Sequence, residues 1–388
     1  MLKKYIISLL IIFISTQSFS QKKFYIEGYV SNMQSVMFDS LKNNWINDNL
    51  IHNRLNFKYN PNKNISFALE LRNRIITGES VKYIPNYAKE TQTDNGLIDL
   101  SFNLVEEQSV LINSSIDRFY FNYEKGKFNL TIGRQRINWG QTFVWNPNDI
   151  FNSYSFFDFD YAEKPGSDAI RLQYYTGTSS SLETAIKLNK DKKVTAAGKF
   201  VFNKFNYDFQ FIGGIIDEKD WIGGLGWSGN IWQLSFRGEA SYLQPKENFK
   251  DTTGLFIGAF GLDFMFENSL MISGEFLYNQ QPEQNNFSNF LQIYDAPQSV
   301  KNLSFTEYNI FAQISYPFNP LISGTISAMY YPEIAGFFAG PSVSFSLMDN
   351  LDFSLIAQSF SGEFKNQVTL KNERMWFNLI FMKMKLSF

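Results

Sequence analysis

The 388-residue chain has no cysteine and a single histidine. The first absence excludes disulfide staples, thiolate metal sites, a cysteine nucleophile and a lipidated N-terminal cysteine. The second leaves His52 as the sole residue for a histidine general base. His52 sits between Ile51 and Asn53 near the start of a strand pattern, on its polar parity, where a solvated position is the plain reading. Neither G-x-S-x-G nor H-E-x-x-H occurs. No enzyme activity, resident metal or cofactor is expected. The near-neutral formal charge of −2 argues against a nucleic-acid partner. Beyond the first twenty residues no apolar run approaches the roughly 20 residues of a membrane-spanning helix.

Aromatic residues are abundant: 41 Phe and 20 Tyr bring them, with Trp, to 18% of the chain. At the N-terminus, Lys3 and Lys4 precede an apolar run from Tyr5 to Ile14, followed by Ser18 and Ser20. This predicts a secretory signal peptide over residues 1–20, cleaved after Ser20. The chain ends "WFNLIFMKMKLSF". Phe388, Leu386, Met384, Met382 and Ile380 share one parity, and Lys385 and Lys383 take the other. Alternation with an aromatic last residue resembles the strand by which barrel-assembly machinery recognises outer-membrane proteins.

Internal segments repeat the alternation. In "ISFALELRNRII", Ile65, Phe67, Leu69 and Leu71 oppose Ser66, Glu70, Arg72 and Arg74. Apolar-out, polar-in strands of this kind build a membrane barrel. Eight short turns flanked by Tyr, Phe and Trp mark one rim. The reading is all-β: a transmembrane antiparallel up-and-down β-barrel over residues 21–388, with about 18 strands (16–18). Short turns face the periplasm and long loops the exterior, and both termini lie on the short-turn side. Loops 77–113 and 138–167 fold inward. The segment "LIDLSFNLV", Leu97–Val105, reads as strand, but it is assigned to the first loop to keep the count even.

Inward parity collects Arg54, Arg72, Arg74, Arg118 and Arg171 early in the chain, and Glu239, Asp263, Glu275 and Glu307 later. Opposed basic and acidic arcs would set a transverse field that selects solutes by charge. Local ion pairs between neighbouring strands are the alternative, and both stay open. The second loop carries Asp158, Asp160 and Glu163, with Asp168 where it enters the next strand. Their spacing does not match a calcium-binding EF-hand loop, so pairing with nearby arginines is expected.

In "TIGRQRINWG" a strand pattern breaks. Phe128, Leu130 and Ile132 are apolar, yet Arg134 and Arg136 follow on the same parity. A lipid-facing arginine costs about 2–4 kcal/mol at the bilayer midplane. A β-bulge at Gly133, or an equivalent bend, would turn both into the lumen. Gly133-Arg134-Gln135 and Asn138-Trp139-Gly140 also resemble the G-R-Q…W-G signature of a loose group of outer-membrane porin-like proteins, including alginate-export-type channels and related barrels. The likeness covers about Asp117 to Tyr175. It implies an outer-membrane channel for passive diffusion of small polar or anionic solutes. The alternative is a non-conducting, loop-plugged barrel with a structural, surface-polysaccharide-attachment or secretion-accessory role.

Overall fold

The computed structural model describes residues 23–39, 45–152, 161, 163–247, 249–280, 299–365 and 371–388. The expected signal peptide, Asp158 and Asp160 therefore lie outside the described residues. The strands are β1 (Phe24–Phe38), β2 (Ile46–Asn62), β3 (Ile65–Gly78), β4 (Ser101–Glu107), β5 (Val110–Lys125), β6 (Phe128–Gln135), β7 (Ser167–Tyr175), β8 (Ser181–Leu188), β9 (Val194–Lys204) and β10 (Tyr207–Ile216). They continue as β11 (Asp220–Ile231), β12 (Leu234–Pro245), β13 (Leu255–Met265), β14 (Met271–Asn279), β15 (Tyr308–Asn319), β16 (Ile322–Tyr331), β17 (Gly336–Met348), β18 (Leu351–Lys365) and β19 (Asn372–Ser387). Apart from β4, each pairs antiparallel with its sequence neighbours, and β19 closes on β1. The result is a closed 18-stranded barrel. Closure removes the edges that an open sheet would expose to lipid. The last residue helps to seal it: Gly28 donates to the Phe388 carbonyl at 3.0 Å, and Phe388 N donates back at 2.9 Å.

Side-chain alternation builds the wall as expected. On β8, Leu182, Thr184 and Ile186 are exposed while Glu183 and Ala185 are buried. Aromatic pairs such as Tyr59–Phe67, Phe128–Tyr174 and Phe202–Phe209 ring the short-turn rim.

The segment Leu97–Val105 departs from its assignment to an inward loop. Its second half is β4, which hydrogen-bonds to β5. Residues 110–115 of β5 pair with β3 on one edge and with β4 on the other, and residues 119–125 pair with β6 on that second edge. Strand β4 therefore continues the wall above β6, which has only 8 residues against 16 in β5. The loop before it holds two short helices, α1 (Glu79–Tyr83) and α2 (Tyr87–Gln92). It then crosses above β6 and β7, where Gly96 bridges to Asn189 beyond the end of β8.

The interior is not uniformly polar. Ile137, Trp139, Val144, Trp145, Ile150 and Phe151 pack against inward-facing Ile212, Ile222, Leu243, Ile257, Leu277, Phe311 and Phe338. An apolar core thus runs along β10–β19 and reaches Met33 and Met37 on β1. It binds the second inward loop to that arc, and most inward arginines stand on β2–β7.

Candidate functional site

Where β6 ends, the chain turns inward and is fastened to the wall by carboxylates. Glu239 on β12 accepts from the backbone N–H groups of Gln141, Thr142 (2.8 Å) and Asn148 (2.7 Å). Glu275 on β14 accepts from those of Phe143 (2.7 Å), Val144 (3.1 Å) and Trp145 (2.7 Å). A turn whose amides converge is a natural partner for an anion, and charge-assisted bonds are the stronger kind. Further ties come from Trp139 Nε1 to Glu183 (2.6 Å), Gln210 to the Trp139 carbonyl (2.8 Å) and Ser241 to the Pro147 carbonyl (2.9 Å).

This changes the expected acidic arc. Glu239 and Glu275 are 1% and 5% exposed, covered by the loop they hold, so they do not present charge to a solute path. Asp263 is paired with Arg237 on the adjacent strand. Glu307 is half-buried and lies beside Tyr278 and the exposed Tyr308 at the end of β14 and the start of β15. Parity identified inward positions, but it could not show that a distant loop would cover two of them.

Most of the expected basic set is also neutralised locally. Arg54, fully buried, meets Asp117 at 2.6 Å, Glu163 at 3.8 Å and Glu70. Arg118 donates to the carbonyls of Glu163 and Lys164, both at 2.7 Å, and so fixes the return of the loop. Arg171 pairs with Glu183 at 2.6 Å. Arg136 lies past the strand end, bonded to Asp149 at 2.8 Å and to the Asn152 carbonyl at 3.0 Å. Burial pushes the Asp149 carboxyl up to about 7, against the opposing pull of Arg136. His52 is buried edge-on against Tyr29.

Arg134 answers its periodicity puzzle differently from the expected bulge. It stays in register between Phe119 and Asp168, with no residue inserted in β6. The register shift lies instead in β5, where Arg118 faces Glu70 and Ile116 faces Leu71, leaving Asp117 extra. Arg134 keeps outward parity, but the crossing segment 94–98 shelters it. Its guanidinium bonds Asp168 at 2.7 Å, Asp94 at 2.6 Å and the Ile98 carbonyl at 2.6 Å. Asp94 carried no sequence pattern that marked it. Gly133 supplies the bend, with φ +117°, and an added Cβ would lie 2.3 Å from the Phe119 carbonyl oxygen. Gly133→Ala is expected to cost at least about 1–3 kcal/mol, seen as an earlier loss of the folded band on heating in detergent.

Arg118 is thus satisfied by carbonyls, without an ion pair among the described residues, and three further cations are in the same position. The Arg72 guanidinium lies 3.8 Å over the Tyr161 ring. Arg74 donates to the Thr91 carbonyl (3.1 Å) and to Asn113 (2.8 Å). Lys187 donates to the Phe151 carbonyl (2.7 Å). Among the described residues none of the three forms an ion pair with a carboxylate. The Nε atoms of Arg72 and Arg74 are buried without a hydrogen-bond partner. All three side chains line a cavity of about 590 Å³ between the charged wall and the inward loop, whose lining also carries Lys190 and Lys219 and the aspartates Asp94, Asp117, Asp168, Asp191, Asp217 and Asp220.

Comparison with models of known protein families finds no match, and no curated protein matches the chain. Solved structures match in fold. OccAB1 of Acinetobacter baumannii superposes with TM-score 0.59 at 7% identity, covering 96% of this chain and 99% of that one. OccK11 (OpdR) of Pseudomonas aeruginosa gives 0.57 at 7% identity, over 95% and 97%. OccK5 (OpdH) of Pseudomonas aeruginosa gives 0.57 at 8% identity, over 94% and 98%. At these identities the likeness is one of architecture: the chain has the closed 18-stranded antiparallel barrel of outer-membrane porins.

Proposed function

We propose that the chain is an outer-membrane, porin-like channel for passive diffusion of small polar or anionic solutes. It would reach that membrane by the signal peptide 1–20 and assemble through the terminal strand ending at Phe388. The observation that carries the reading is a charged cavity beside the inward loop on which Arg72, Arg74 and Lys187 stand without an ion pair among the described residues, although aspartates such as Asp117 and Asp217 share its lining. A cation in a partly desolvated lumen attracts an anion more strongly than one in bulk water. The other arginines then act as scaffold: Arg54, Arg118, Arg134, Arg136 and Arg171 hold wall and loop in place. Solute selection rests on far fewer charges than the sequence offers.

The test is reversal-potential measurement in planar bilayers under a salt gradient. The parent is expected to prefer anions, and Arg72→Glu with Arg74→Glu to prefer cations. Unchanged selectivity overturns the assignment of these two residues. Liposome swelling with a panel of sugars and organic acids separates the channel from a sealed barrel, which would show no swelling with any of them.

A further inference from the structure

Among the described residues, the largest departure from an apolar lipid-facing side lies near the start of the chain. On β1, β2, β3 and β5 the outward parity carries amides and a hydroxyl: Asn32, Gln34, Asn49, Asn53, Asn73 and Ser114. Their parity follows from their neighbours, since His52 and Arg54 on β2 are buried inward while Ile51 and Tyr59 are exposed. Three of the six stand in one row across adjacent strands, Asn53 opposite Asn73 and Asn73 opposite Ser114. Ser114 Oγ donates to Asn73 Oδ1 (2.7 Å), Asn73 Nδ2 to Asn53 Oδ1 (3.1 Å) and Asn53 Nδ2 to the Tyr29 carbonyl (3.2 Å). Above them Asn32 and Asn49 exchange bonds at 3.0 and 3.3 Å, and Asn49 also donates to Gln34 at 3.2 Å. Elsewhere, β10, β11, β13, β15 and β16 turn Phe211, Leu225, Phe260, Ile310 and Ile326 outward, and a smaller outward polar pair, Ser359 with Asn378 at 2.8 Å, lies level with Phe38 at the far end of β1.

The row does not lie at headgroup level. A strand tilted by about 40° climbs roughly 2.5 Å per residue along the membrane normal. Asn53 is six residues above Tyr59, and Asn73 six above Phe67, the aromatic pair at the lower rim. That places the row roughly 15 Å up, inside an apolar band about 25 Å tall. Apolar rows bracket it, with Leu55, Leu71 and Ile116 below and Ile51, Ile75 and Ile112 above. Each amide has two N–H donors. Asn53 and Asn73 each use one within the row, so each has a second N–H that hydrocarbon cannot satisfy.

We infer that the outer face of β1–β3 and β5 is a dimerisation surface, and that it binds the same face of a second copy of this chain. The surface is neutral, and every amide is donor and acceptor at once, so the row complements itself. A partner must present polar groups at the same depth in the bilayer. A second copy in the same membrane does so automatically when the two are related by a two-fold axis along the membrane normal. Between membrane segments, association is driven by close packing and by polar groups that escape lipid, because lipid is as apolar as the wall. The inference rests on the barrel and its orientation in the membrane, and is independent of what passes through the lumen.

The absence of cysteine makes the experiment clean. Leu71→Cys and Ile75→Cys flank Asn73 on β3 and leave the amides intact, while Ile326→Cys marks the distant wall. Mild oxidation of isolated outer membranes is expected to give disulfide-linked dimers with the β3 cysteines and none above background with Ile326→Cys. Adding Asn53→Leu and Asn73→Leu should lower the dimer yield by about tenfold, the scale that polar contacts within membranes supply. The heat-modifiable mobility of the folded barrel checks that these variants still fold. Equal cross-linking at β3 and Ile326, a yield unchanged by the leucines in a folded barrel, or a product whose mass is not two copies overturns the inference.

Discussion

Replacing Glu239 and Glu275 together with glutamine is expected to release residues 141–148 from the wall and raise the single-channel conductance. Each carboxylate satisfies three backbone N–H groups of one short stretch. Glutamine offers one acceptor oxygen, and its NH₂ group would point donors at donors. A buried N–H left without an acceptor costs about 1–3 kcal/mol. Several such losses at two anchors set buried, unpaired N–H groups against the apolar packing of Val144 and Trp145 and polar ties such as Ser241 to Pro147, so the loop is loosened where its amides converge. The strand ladders of β12–β14 involve neither side chain, so the barrel should stay closed while the loop detaches. The loop is the element that narrows this half of the lumen, and the conductance step reports its position directly. Protease cleavage within 141–148 in the double variant alone would be the matching structural signal. A conductance equal to the parent's would show that this loop does not set the constriction. Each single variant should fall between, because each anchor holds a different part of the loop.

Much of the wall could be read from alternation, because lipid and lumen impose opposite chemistry on consecutive residues. Leu182, Thr184 and Ile186 face out and Glu183 faces in for a reason that acts locally. The site was less legible, since its chemistry is set by pairings across long sequence distances. Glu275 is separated from Val144 by 131 positions, and nothing near Glu275 signals that a loop will spend its charge. Asp94 and Arg134 meet only because a loop crosses the top of short strands β6 and β7. The G-R-Q pattern pointed to a bulge at Gly133, and the structure has a positive φ there without an inserted residue. The register shift lies between β3 and β5, a pair to which β6 does not belong, so no pattern within β6 could report it. The outward amides of β2 and β3 were visible as letters, and only the register aligned them into a row.

Arg54→Met is expected to cost about 3–5 kcal/mol of barrel stability, the scale for removing one partner of a buried ionic cluster. The Arg54 side chain is 0% exposed and has three acidic neighbours: Glu70 on β3, Asp117 at the β5 irregularity and Glu163 at the return of the inward loop. Methionine matches much of the volume but leaves three carboxylates converging on an apolar tip. Lysine would retain the charge, yet one ammonium lacks the planar fork that reaches Glu70, Asp117 and Asn56 in different directions. Arg54→Lys should therefore lie between the parent and Arg54→Met. The reading is the temperature at which the compact, heat-modifiable band is lost in detergent, and the local sign is cleavage near Glu163 as the loop's return segment loosens. A compensated variant separates charge from packing. If uncompensated carboxylates are the cause, Arg54→Met combined with Glu70→Gln and Asp117→Asn should recover most of the deficit, because the residues left behind no longer repel. If the deficit persists after neutralisation, the arginine contributes through packing and hydrogen-bond geometry. An Arg54→Met protein as heat-resistant as the parent would show that the cluster does not hold β2, β3 and β5 to the loop.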